Sequence, residues 1–185
     1  MVKFRLSREV ATPFVTLGVL TAENFSFKCK CVEKACPSCS PAMNKAFLAL
    51  PAGAYRMKMV PAGLEFTMRI EVFGIYRDAT FEACEKPSYA RAGSICIGTR
   101  WTGAKMEGSE RAMEVLANFL NHLIDDGYIN PRGAYGDMML EIVEDDMIRM
   151  AGDDPDESND KGCDINWNML DEEEDESDGE ERDDR

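Results

Sequence analysis

Residues 14–33 read FVTLGVLTAENFSFKCKCVE, and the division of this stretch decides the class of fold. β-Branched and aromatic residues dominate it, and Ala22–Asn24 supplies a turn. Phe25, Phe27, Cys29 and Cys31 then alternate with Ser26, Lys28 and Lys30, which places the first set on one face of a strand. Two strands joined by a turn are therefore expected here. Toward the N-terminus, VKFRLSREV (2–10) alternates polar and apolar residues in the same way. Toward the C-terminus come a loop KACPSCSPAMN (34–44), a turn at Ala52-Gly53, and AYRMKMV (54–60), with Tyr55, Met57 and Met59 against Arg56 and Lys58. Leu64–Ile75 gives another strand around TMRIEVF, and Gly93–Gly98 (GSICIG) a short buried one.

One long helix breaks the pattern. Gly108-Ser109 opens it, with Ser109 as N-cap and Glu110 at the positive end of the dipole. Ala112, Val115, Leu116, Phe119, Leu120 and Leu123 follow helical spacing, and Gly127 ends the run. A second helix is expected over Asp137–Met150, with Met139, Ile142, Val143, Met147 and Met150 on one side. The fold class read from this is mixed α+β and mostly β. A compact β-rich domain spans 1–135 with one long packed helix, a helix leads out over 136–150, and an acidic tail runs over 151–185.

Charge separates the same parts. Residues 1–140 carry 17 Lys/Arg and 14 Asp/Glu, whereas 141–185 carry 4 and 21. The body is weakly basic and the tail holds the acidity. With so few apolar residues, the tail cannot bury enough surface to offset chain entropy and is expected to be disordered. It contains one apolar island, Cys163–Leu170, in which Trp167 would anchor a short segment on a protein partner. The acidic run Asp171–Glu176 reads first as a solubilising stretch. The basic residues of the body are scattered, so no nucleic-acid platform is indicated. No export signal or bilayer-length apolar run is visible, and the expected location is the cytoplasm, a virion being the alternative.

Seven cysteines, an odd number in a chain read as cytoplasmic, argue for free thiols or a metal site over a disulfide framework. Cys29-x-Cys31-x4-Cys36-x2-Cys39 supplies four thiolates that suit zinc, against the plainer reading of two small core residues and two loop thiols. No other cofactor is indicated. The Cys36-Pro-Ser-Cys39 turn does not open a helix after a strand, where a thiol pKa would be depressed, and this weighs against a redox role. His122 is the only histidine and lies off the apolar stripe of its helix, which suits a surface residue. Any Cys–His or Ser–His mechanism would have to recruit it. Glu71, Glu82 and Glu85 have no spacing that marks an acid/base pair.

Taken in order, the body segments resemble a family of uncharacterised phage and bacterial domains, domain of unknown function family 5675. Its loose pattern runs TLG-x-L, F-x-C-x-T-x-E, P-x-G-x-Y, a strand with IH-x-G, a GCI-x-hG segment, and a helix opening with Ser. The counterparts are Thr16–Leu20, Phe27–Glu33, Pro51–Tyr55, Ile70–Gly74, Gly93–Gly98 and Ser109, so the resemblance covers Phe4 to Ile124. That family is similar to L,D-transpeptidases, β folds in which a His and a Cys act on peptidoglycan, and its members are often encoded beside phage lysis genes. The resemblance thus implies an L,D-transpeptidase-like domain and a cell-wall context.

The chain departs from the pattern at its decisive positions. Glu71 stands where the His would be and Ser94 where the Cys would be. Cys96, two residues on, shares the face of Ser94 and would be the substitute thiol, but a carboxylate at 71 would raise its pKa. The expectation is a degenerate, non-catalytic, phage-encoded binding protein. Its partner would be a protein or peptidoglycan, contacted through the face around Glu71, Ser94 and Arg100, through Trp167, or both. The alternatives are a peptidoglycan hydrolase or transferase using Cys96 or Ser94, and a virion structural protein.

Overall fold

The computed structural model describes residues 1–39, 48–62, 65–72, 74–103, 105–131 and 137–150. The acidic tail, its island and Trp167 lie outside the described residues. The body is mostly β, as the alternation predicts. Its strands are β1 (Val2–Ala11), β2 (Val15–Ala22), β3 (Lys28–Lys34), β4 (Gly53–Ala62), β5 (Glu65–Ile70), β6 (Phe81–Glu82), β7 (Ile95–Gly98), β8 (Arg100–Thr102), β9 (Lys105–Glu107), β10 (Met138–Val143) and β11 (Ile148–Arg149). One helix, α1 (Ser109–Asp125), sits between β9 and β10.

The main sheet runs β5-β4-β10-β1-β2-β3-β7-β6, with β11 pairing the end of β1. Its two ends nearly meet. Arg69 bridges Thr80, and the Ile70 amide donates to the Ala79 carbonyl at 3.0 Å, so β5 meets the residues leading into β6. Closure of this kind removes the exposed edges that an open sheet would present.

The segment 137–150 corrects the sequence reading. It forms no helix; β10 lies inside the sheet, parallel to β1 (Phe4 opposite Leu140) and antiparallel to β4 (Leu140 opposite Tyr55). Met138, Leu140 and Ile142 are buried while Glu141 is exposed, a period of two. Helical spacing fits the scattered apolar residues of this stretch equally well on paper. Without β10, however, β1 and β4 would each leave a row of backbone groups unpaired, and pairing decides the outcome. The globular domain therefore extends to about residue 150, beyond the boundary at 135.

Apolar side chains fill both faces of the sheet. The inner cluster contains Phe4, Leu6, Leu20, Cys31, Met57, Met68, Ile70, Ile95, Ile97 and Leu140, together with Ala112, Leu116, Leu120 and Leu123 of α1. Phe119 of α1 stacks on Phe27 with centroids 4.9 Å apart and meets Phe4 edge-on at 6.0 Å. The helix thereby covers the end of the barrel where β1 begins. An outer cluster of Val10, Leu17, Val19, Val32, Cys96, Trp101 and Met106 lies on the other face. The β8–β9 hairpin supplies Trp101 and Met106 to it. No described helix is long and apolar enough to cross a membrane.

The entry to α1 also differs from expectation. Gly108 is the N-cap, at φ 65°, a conformation that suits glycine. Ser109 is the first helical residue, and its hydroxyl donates to the Cys84 carbonyl at 3.2 Å instead of capping. The far end is as the sequence suggests: Gly127 has φ 75°, and its amide donates to the Ile124 carbonyl at 3.0 Å.

Candidate functional site: an arginine cluster under a cysteine turn

Along β1, Val2, Phe4 and Leu6 point inward, and the next inward position is Arg8. Four residues of strand separate it from Phe4, about 13 Å at strand rise, so it sits toward the end of the barrel away from α1. On β3 the same alternation carries Cys29 and Cys31 inward and then Glu33. The two opposite charges meet there, with both side chains essentially without solvent contact. Arg8 Nε donates to Glu33 Oε2 at 2.9 Å and Nη2 to Glu33 Oε1 at 2.9 Å, a bidentate pair. Nη2 also donates to the Leu50 carbonyl at 2.7 Å. Nη1 donates to Glu144 Oε1 at 2.7 Å.

Burial alone would lower the Arg8 pKa. The charges of Glu33 and Glu144 and their hydrogen bonds outweigh it and hold the guanidinium more firmly charged than usual. A register shift in the β1–β2 pairing falls between Arg8 and Val10. Opposite Arg8, Gly18 leaves room: a Cβ there would come within 2.7 Å of the Ser7 carbonyl.

The cluster reaches into the loop after β3. Ser38 Oγ donates to Glu144 Oε2 at 2.8 Å, and Arg149 Nη2 lies 3.9 Å from the same oxygen. The Cys36 amide donates to Thr16 Oγ1 at 2.9 Å. Arg8, Glu33, Glu144 and Ser38 thus join β1, β3, the residue after β10 and the Cys36–Cys39 turn. The bonds occupy Arg8 and both oxygens of each carboxylate, so the cluster acts as a clamp and not as an open receptor for a ligand. The sequence carries a signal for this cluster, since period two assigns both Arg8 and Glu33 to inward faces.

The residues singled out from the family pattern do not assemble into one site. Ser94 is buried, and its hydroxyl accepts the Thr80 amide at 3.1 Å. Cys96 is wholly buried in β7 and bonded to Cys84 in a disulfide with Cα atoms 5.4 Å apart. Glu71 is half-buried just after β5, and its amide donates to the Arg56 carbonyl at 2.7 Å. Arg100 is exposed on the β8–β9 hairpin, and His122 is exposed on α1. Among the described residues no hydrogen bond or ion pair joins Glu71, Ser94 and Arg100 to one another. A polar group does form beside Ser94, where Arg91 Nε donates to Glu82 Oε1 at 2.7 Å and Thr80 Oγ1 lies 3.2 Å from the same oxygen. A surface hollow of about 380 Å³ is lined by Met1, Val2, Lys3, Glu23, Asn24, Phe25 and Tyr128, and by none of the predicted site residues.

The cysteines divide into pairs. Cys29 and Cys31 belong to the inner cluster, where burial first and then Cys29 push the Cys31 thiol well up. Cys36 and Cys39 pack with Ala11 and Met147 in a separate cluster. The structure therefore does not bring the four thiols together, and among the described residues no three Cys, His, Asp or Glu groups are placed to share an ion.

The Cys84–Cys96 bond corrects the expectation that the thiols are free. It ties the segment carrying the Pro87–Tyr89 turn to β7, closing a ring across a separation of 12 residues. A ring of that size is worth about 3 kcal/mol through the unfolded chain. Cys96→Ala is expected to lower stability by about that amount in urea unfolding. In protein unfolded without reductant, Cys84 and Cys96 should resist alkylation until a reductant is added; modification of both beforehand would refute the pairing.

No protein-family model, curated protein or solved structure matches the chain.

Proposed function

We propose that this chain is a non-catalytic, phage-encoded binding protein on a degenerate L,D-transpeptidase-like scaffold, with the former catalytic positions given over to structure. The observation that carries this reading is the Cys84–Cys96 bond: a sulfur already bonded, on a residue with no solvent contact, has no thiolate to offer. Ser94 supports it as well, because its hydroxyl is buried and takes a backbone amide between Thr80 and the start of β7. Binding then falls to Arg100, which is exposed on the hairpin, and to the island around Trp167, which the sequence singles out. Peptidoglycan is the small-scale alternative to a protein partner.

The disulfide favours one variant of this reading. Disulfides persist where no reducing pool opens them, which suits a protein that acts in a virion or after host lysis better than one confined to the cytoplasm.

Two measurements test the proposal. Incubated with purified peptidoglycan, the full chain should release no soluble fragments; release that disappears in Ser94→Ala would restore the enzyme reading. A photo-crosslinking residue at position 167 in infected or expressing cells should yield one discrete adduct, unlike the same residue at the exposed position 122. Identical smears from both positions would sink the binding role assigned to the island.

A further inference from the structure

The Cys36–Cys39 turn has the features of a poised thiol pair. The Cys39 amide donates to the Cys36 carbonyl at 3.0 Å, closing the turn and bringing both side chains to one side. Both side chains share one small cluster, and both approach Ser38 Oγ, Cys36 Sγ at 3.3 Å and Cys39 Sγ at 3.9 Å. Since Ser38 gives its one proton to Glu144, its lone pairs face the two S–H groups. Cys36 is buried against Ala11 and Met147, whereas Cys39 is partly exposed. One thiol is open to solvent, the other lies behind it, and the Arg8 clamp anchors the turn between them.

The geometry points to Cys36 and Cys39 as a dithiol that closes reversibly to a second disulfide by exchange with a small disulfide of the glutathione class. Cys39 loses its proton to solvent and attacks one sulfur of the small disulfide. That S–S bond breaks, and one glutathione leaves as its thiolate. Cys36 then loses its proton and attacks Cys39 Sγ of the mixed disulfide, and the second glutathione leaves. Two electrons have passed from the protein thiols to the small disulfide, and excess reduced glutathione drives the same steps backward. Holding the second thiol beside the first makes ring closure an intramolecular step, which favours it over a lasting mixed disulfide.

Burial and the neighbouring Cys36 push the Cys39 thiol up, with Arg149 drawing it partly back. The exchange is accordingly slow at neutral pH, its rate rising about tenfold per pH unit below the thiol pKa. This couple differs from Cys84–Cys96, which lies against the outer cluster and closes a larger ring.

The test equilibrates the full chain in graded mixtures of reduced and oxidised glutathione, traps free thiols by alkylation, and maps the disulfides by mass spectrometry. The expected result is loss of both Cys36 and Cys39 thiols together, at one midpoint, with recovery in reduced glutathione. Cys36→Ser should stop at glutathione bound to Cys39, and Cys39→Ser should leave Cys36 unmodified. Wild-type chain that stops at a glutathione adduct on Cys39 overturns the proposal, as does a bond from either residue to Cys29, Cys31 or Cys163. Thiols unchanged across the whole range overturn it too. If a variant fails to fold, the wild-type map decides alone.

Discussion

Arg8→Met is expected to destabilise the protein by about 3–5 kcal/mol, the cost of leaving a buried charge without its partner. Glu33 is almost wholly buried, and both its oxygens accept from Arg8; Glu144, by contrast, keeps Ser38 and Arg149. The variant leaves the Glu33 carboxylate buried without the guanidinium that satisfies it.

Replacing the pair together, Arg8→Met with Glu33→Leu, should cost less than either change alone, because no charge is then left buried. Urea unfolding of the four proteins measures the coupling. Additive costs would show that the clamp does not hold the barrel end.

Trp101→Ala is expected to cost about 3–5 kcal/mol, in the range of large aromatic truncations from a core. Trp101 is the largest side chain of the outer cluster, its Nε1 donates to the Cys31 carbonyl at 3.1 Å, and the Lys30 ammonium lies 4.3 Å from its ring centroid. It binds the β8–β9 hairpin to the outer face of β3, the strand whose inner face holds Cys31 and Glu33. Trp101→Phe keeps most of the packing and loses the indole N–H, so about 1–2 kcal/mol is expected. If Trp101→Ala costs less than about 1 kcal/mol, the hairpin is a loose cover and the outer cluster contributes little to folding.

The contrast between β1 and β10 shows what the sequence could reveal. Strict alternation in β1 fixes its inward face, including Arg8, and the stripe on α1 predicts Ala112, Leu116, Leu120 and Leu123 as its buried side. For 137–150 the apolar residues fit two periods, and only the unpaired edges of β1 and β4, far away in sequence, select the strand. The Cys84–Cys96 pairing is invisible for the same reason, since β6, β7 and the segment between them had first to be placed in the sheet. Cys29 and Cys31 share a face as expected, but the strand carries them to a different cluster from Cys36 and Cys39. The acidic tail and Trp167 can be judged only from composition. The family pattern gives Ser94 and Cys96 a position and not surroundings; burial and bonding depend on the fold.

The place of β10 bears on how the chain is made. β1 is synthesised well before its parallel neighbour and finds it only when residues 138–143 exist. Until then β1 and β4 are bare edges on a growing chain, apolar on one face and open to pairing with the same strands of another copy. Premature termination anywhere before Val143 would therefore release sticky fragments, not a smaller working domain, and co-expressed chaperones should matter most in that interval of translation.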